Sequence, residues 1–134
     1  MDEFQLLSDQ AKELFKAFPE LEFKTLAALT IIIGWLLTSG NAQQFLSTHS
    51  FLSQLGTTIA MGSFAIVQIA FLRGHYKKIE TVLGQLEKLA VERGFSSVVV
   101  DTYRVSPILP VSYALINIVF SSAIVVVVYV LGQG

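Results

Sequence analysis

The sequence predicts an all-α integral membrane protein. It has three transmembrane helices, an N-terminal amphipathic helix, and a cytoplasmic helix extending from the second span. Three observations carry this reading. The nine Lys and Arg and the ten Asp and Glu fall in two blocks, residues 1–24 and 73–104, leaving residues 25–72 and 105–134 without any. The chain is 53% hydrophobic, with a mean hydropathy of +0.64. The Lys and Arg also lie asymmetrically about the apolar runs. A soluble surface needs charge interspersed along the sequence. A helix crossing a hydrocarbon core of about 30 Å needs roughly 20 apolar residues. The first charge-free run accommodates two crossings and a turn, the second one crossing.

Composition narrows the function classes. With 134 residues the chain is a single membrane domain, and a net charge of −1 provides no field to attract nucleic acid. There are no cysteines and only two histidines, His49 and His75. Disulfides, Cys-zinc sites, Fe–S clusters and thiol nucleophiles are thereby excluded. No metal and no cofactor is expected. The start lacks the pattern of a signal peptide, since about twenty mixed-charge residues precede the first apolar run. No Asn-x-Ser/Thr sequon, myristoylation start or prenylation end occurs.

The elements follow in order. In residues 1–19, Phe4, Leu7, Ala11, Leu14 and Phe18 step by three and four, placing them on one face of an amphipathic helix. Asp2 with Gln5 suits its N-terminus, and Pro19 is expected to end it. Span one covers residues 23–40. Residues 39–44, Ser-Gly-Asn-Ala-Gln-Gln, are polar and turn-prone. The following Phe45, Leu46, Phe51 and Leu52 place this loop in the membrane interface. Span two covers residues 52–72.

Leu72, Tyr76, Ile79, Leu83, Leu86 and Ala90 continue the phase of span two without a proline. One helix is therefore expected to leave the membrane as a coiled-coil-like rod over residues 73–93, with Gly94 as its stop. Residues 94–110 read as a linker limited by Pro107 and Pro110. Span three covers residues 111–131. Its Val and Ile content would suit a strand in water, but a lone strand in lipid leaves its backbone unpaired, so helix is expected. Tyr113 and Tyr129, about 24 Å apart along a helix, suit an aromatic anchor at each interface.

Orientation follows from the cations. Lys12, Lys16 and Lys24 precede span one; Arg73, Lys77, Lys78, Lys88, Arg93 and Arg104 lie between spans two and three. The positive-inside rule puts both blocks in the cytoplasm and the first loop and Gly134 outside, in a bacterial inner or plasma membrane.

Chemistry is sparse. No charged residue falls inside the expected spans, which argues against ion-coupled transport, proton pumping or intramembrane proteolysis. No HExxH, P-loop, GxSxG or GxGxxG pattern occurs. What the spans offer is small residues, which let helix backbones approach closely. These include Gly34 within Thr30-x-x-x-Gly34-x-x-x-Thr38, Gly56-x-x-x-Ala60, and Gly62. Gln68 and Asn117 are the carboxamides well inside the spans, placed to bond with each other, and Ser121 and Ser122 continue the polar stripe of span three. Arg73, Lys77 and Lys78 form a juxtamembrane basic cluster suited to lipid headgroups, each cation contributing about 1 kcal/mol near an anionic surface. Tyr76, Ile79, Leu83, Leu86 and Ala90 form an apolar seam. It is expected to be an assembly surface, covered by the same helix of a neighbouring copy; the Phe4–Phe18 face of the same chain is the other candidate to cover it.

The expected function is non-enzymatic: a self-associating or scaffold subunit of a membrane complex, partnered by lipid and by further copies or other membrane subunits. A homo-oligomeric pore, channel or permeabilising effector is the alternative, and an inhibitor of another membrane protein a third.

Overall fold

The computed structural model describes residues 2–96 and 98–133. It is helical, with no strand among the described residues: α1 Glu3–Thr38, α2 Gly40–Thr48, α3 Ser50–Glu92, the single turn α4 Val98–Asp101, and α5 Ile108–Gly132. Helices α1, α3 and α5 are long and apolar enough to cross a membrane. At 1.5 Å per residue α1 and α3 extend about 54 Å and 65 Å, well beyond a hydrocarbon core. Both contain a charged half continuous with an apolar half.

The expected break at Pro19 does not occur; α1 runs through it. Proline removes one N–H and crowds the preceding turn, costing about 3 kcal/mol in a helix interior. The buried face explains why the helix continues. Leu7, Ala11, Phe18, Glu22, Leu29 and Leu36 are all buried, forming one stripe that passes Pro19 in phase. Packing on both sides of the proline holds the helix together. In the turn before Pro19, the Nε2–H of His75 on α3 donates to the Leu14 carbonyl at 3.1 Å, tying this turn to α3.

Two apolar clusters stack along the bundle. In the charged half, Leu7, Ala11 and Phe18 of α1 pack with Leu72, Ile79, Leu83, Leu86 and Ala90 of α3 and with Val100 and Val105. In the other half, Leu29 and Leu36 pack with Leu46, Ile124 and Val128. The large side chains left outward, among them Ile31, Trp35, Ile59, Ile66, Val119 and Val130, lie in the apolar halves of the three long helices. That is the surface a lipid environment requires.

The connections are ordered. Residues 39–44, expected as a turn-prone loop, open helix α2 instead. Ser39 caps it by accepting from the Ala42 N–H at 3.3 Å. The Gln43 amide donates to the Leu36 and Leu37 carbonyls at 3.3 and 2.9 Å, satisfying the end of α1. Ala42 and Leu46 are buried on this short helix, so the loop is a packed cap. Gly132, near the end of α5, passes close to this region: a Cβ there would lie 2.9 Å from Nε2 of Gln54 on α3, a flexible side-chain end, and 3.6 Å from the Leu46 carbonyl of α2. The linker is packed as well, with Val100 and Val105 buried, and Arg104 joins it to α3 through Glu87 at 3.2 Å.

Helix α3 ends in a paired-carbonyl turn. The Phe95 N–H reaches the Ala90 carbonyl at 2.8 Å and the Gly94 N–H reaches that of Val91 at 3.1 Å, the Schellman arrangement. Gly94 has φ +73°, where a side chain is strained. Gly94→Ala is expected to cost about 1–2 kcal/mol, seen as a lower denaturation midpoint with unchanged helix content. The end is also clamped to the N-terminus. Arg93 forms a two-point ion pair with Asp2 and lies 5.8 Å from the Phe4 ring centre. The hydrogen bond from Arg93 holds the Asp2 carboxyl below the usual carboxylate range.

Candidate functional site

Between the two apolar clusters lies a polar layer. On α1 the buried stripe reads Phe18, Glu22, Leu29; on α5 it reads Asn117, Ser121, Ile124, Val128. Glu22 is 4% exposed, Asn117 0% and Ser121 4%. The Asn117 Nδ2–H donates to Glu22 Oε2 at 3.1 Å. The other polar atoms of the layer, Glu22 Oε1, Asn117 Oδ1 and Ser121 Oγ, are buried without a hydrogen-bond partner.

Aromatic rings close the charged side of this layer. One helical turn before Glu22, the Phe18 ring stacks on His75 of α3, with centroids 5.3 Å apart, and meets Tyr113 of α5 at 5.4 Å. On the far side Leu29 and Ile124 close it. Aromatic and aliphatic side chains thus bound the layer at both ends, and a low-dielectric surround strengthens any interaction inside it.

This arrangement corrects one expectation. Asn117 does not bond to Gln68, which is half-buried on α3; its partner is Glu22. Glu22 lies just before residues 23–40 and is buried against a residue seven positions past Pro110. The signal that reveals it is the amphipathic stripe itself. Continued past Pro19, the steps Leu14, Phe18, Glu22, Leu29 and Leu36 put the carboxylate on the buried face.

The small residues are placed differently from the polar ones. Gly34, Gly56, Ala60 and Gly62 are exposed, and a Cβ at any of the three glycines would meet nothing within 4 Å. Among the described residues, no side chain packs directly on these three glycines. Gly56 and Ala60 face a cleft of about 620 Å³ bordered by Trp35, Phe45, Ile124 and Val128. Gly62 faces a smaller groove of about 310 Å³ with Ser122. Thr30 and Thr38 are satisfied on the helix surface, their hydroxyls donating to the Leu26 and Gly34 carbonyls at 2.8 and 2.7 Å.

The seam of Tyr76, Ile79, Leu83, Leu86 and Ala90 is covered by the chain's own α1 and linker. Its expected role as an assembly surface is therefore corrected: the Phe4–Phe18 face covers it, because α1 and α3 run side by side through the charged half. Arg73, Lys77 and Lys78 are exposed and make no salt bridge among the described residues. No cluster of His, Cys, Asp or Glu suited to a metal occurs among the described residues. The placement of Gly134 lies outside them.

Fold and site together define a class: an all-helical membrane protein whose three long helices enclose a polar layer. No family model, no curated protein and no solved structure matches this chain.

Proposed function

We propose that the protein is a non-enzymatic membrane subunit that associates with other transmembrane helices, its own copies or those of a larger complex, through the small faces of α1 and α3. One contrast carries this reading. Of the polar residues of α5 that could line a pore, Asn117 and Ser121 are turned into the bundle and Ser122 is exposed. The glycines that let backbones approach, Gly34, Gly56 and Gly62, are turned out of it. In lipid, helices associate by close packing of small residues, since apolar burial gives no drive there. Inward polar residues speak against the pore as the alternative. Both charged blocks are taken as cytoplasmic, with Arg73, Lys77 and Lys78 at the level of anionic headgroups.

The test is a paired substitution, Gly56→Leu with Gly62→Leu, measured by native mass in detergent and by circular dichroism. Because a Cβ at either position meets nothing and leucine favours helix over glycine, helix content and the denaturation midpoint should not fall, while the mass falls to that of the monomer. An unchanged oligomeric mass would remove both grooves of α3 from the assembly, and a monomeric wild-type protein in native lipid would sink the self-associating form of the reading.

A further inference from the structure

Of the three unpartnered atoms of the polar layer, one is the Ser121 hydroxyl and the other two are pure acceptors, and those two decide what the layer binds. Glu22 Oε2 already accepts from the Asn117 amide nitrogen. The remaining carboxyl oxygen, Oε1, and the remaining amide oxygen, Oδ1, are both acceptors, both buried and both unpartnered. A carboxyl and a primary amide joined by one N–H···O bond can turn their second oxygens to a common edge. One hydrogen placed between those atoms satisfies both. A carboxylic acid and a primary amide then form a closed ring of two hydrogen bonds, Nδ2–H to Oε2 and Oε1–H to Oδ1.

We infer that Glu22 and Asn117 form a proton-binding site inside the bundle, with Glu22 held as the neutral acid at neutral pH and its proton bonded to Asn117 Oδ1. A bare carboxylate here would have one hydrogen bond and no cation beside it, an arrangement protein interiors avoid by taking up a proton. The cations nearest in sequence do not supply one: Lys24 is exposed and pairs with Glu20 at 3.2 Å. Among the packed elements, the titratable groups one turn away are Tyr113 on α5 and His75 on α3. The His75 Nε2–H is committed to the Leu14 carbonyl. Ser121, one turn further along α5, adds a hydroxyl that can donate to Asn117 Oδ1 when the proton leaves. The balance is simple: Glu22–COOH releases H⁺ to water and leaves the carboxylate facing Oδ1 across the layer. Because the folded protein holds the proton more tightly than the unfolded chain, stability is greatest on the acid side and falls as pH rises. This site is distinct from the assembly face, since neither Glu22 nor Asn117 borders the grooves of Gly56 and Gly62.

The test uses the full chain in lipid nanodiscs. Infrared difference spectra should show the carbonyl stretch of a protonated carboxyl in the wild type at neutral pH, absent in Glu22→Gln. Glutamine presents the same edge, one N–H and one oxygen. Glu22→Gln should therefore fold, match or exceed the wild-type midpoint at neutral pH, and lose the decline of stability toward alkaline pH. Failure of Glu22→Gln to fold, or absence of the protonated band from the wild type at neutral pH, overturns the inference. If the band is absent and sodium or potassium ions raise the midpoint of the wild type alone, the layer is a cation site instead.

Discussion

Truncating Leu83 and Leu86 to alanine is expected to release the charged half of α1 from α3, at about 2–5 kcal/mol for each leucine. Both are buried in the cluster formed with Leu7, Ala11, Phe18, Val100 and Val105. They stand three residues apart on one helix face and share neighbours. The double variant should therefore cost less than the sum of the singles. The first consequence is fraying of residues 3–18, which on their own make a short amphipathic helix that is marginal in water. Hydrogen exchange should rise there and in the buried turn of α3, while exchange in α5 beyond Ser121 stays slow. Native mass discriminates the two possible roles of this seam. If it is internal packing, stability falls at unchanged mass under mild conditions. A drop to monomer with an unchanged midpoint would restore the seam as an assembly surface.

The second large effect is Asn117→Leu. It removes the hydrogen bond that the Glu22 carboxyl makes in a layer closed by Phe18 and Tyr113 on one side and Leu29 and Ile124 on the other. A buried polar group stripped of its partner costs about 1–3 kcal/mol, whereas replacing both partners by apolar groups of similar shape is close to neutral. Glu22→Leu alone should likewise leave the Asn117 amide orphaned. The double variant Glu22→Leu with Asn117→Leu should recover most of the loss in a thermal melt followed by circular dichroism. Additive losses in the double variant would mean that the two side chains do not interact.

Much of this fold was legible along the chain. Charge depletion alone located the apolar halves of three helices, because in lipid only a closed backbone ladder and an apolar surface are tolerated. The unbroken phase from Leu72 to Ala90 marked the residues that α3 buries. Along the chain Pro19 carries a local penalty of about 3 kcal/mol with no visible packing to offset it; in the fold, Phe18 and Glu22 are buried on either side of it. The small residues were legible as a pattern but not as a location, since Gly56 and Gly62 look alike whether they meet a neighbour within the chain or outside it. Helix α2 was hidden for a related reason: its nine residues bury only Ala42 and Leu46, too few for a periodic signal.

The sequence by itself determined how many helices are apolar enough to cross a membrane, where their charged extensions begin, and that cysteine chemistry is excluded. These are properties of composition within a window, and composition is local. Only the tertiary structure decided that α1 covers the seam on α3, that Gly34, Gly56 and Gly62 face outward, and that Glu22 meets Asn117. Those outcomes depend on the rotation of each helix about its axis relative to its neighbours. A helical stripe shows which residues share a face, and the packing of the other helices selects what that face meets. Glu22 and Asn117 are 95 residues apart. Neither shares a helix with the other, and no period along the chain links them.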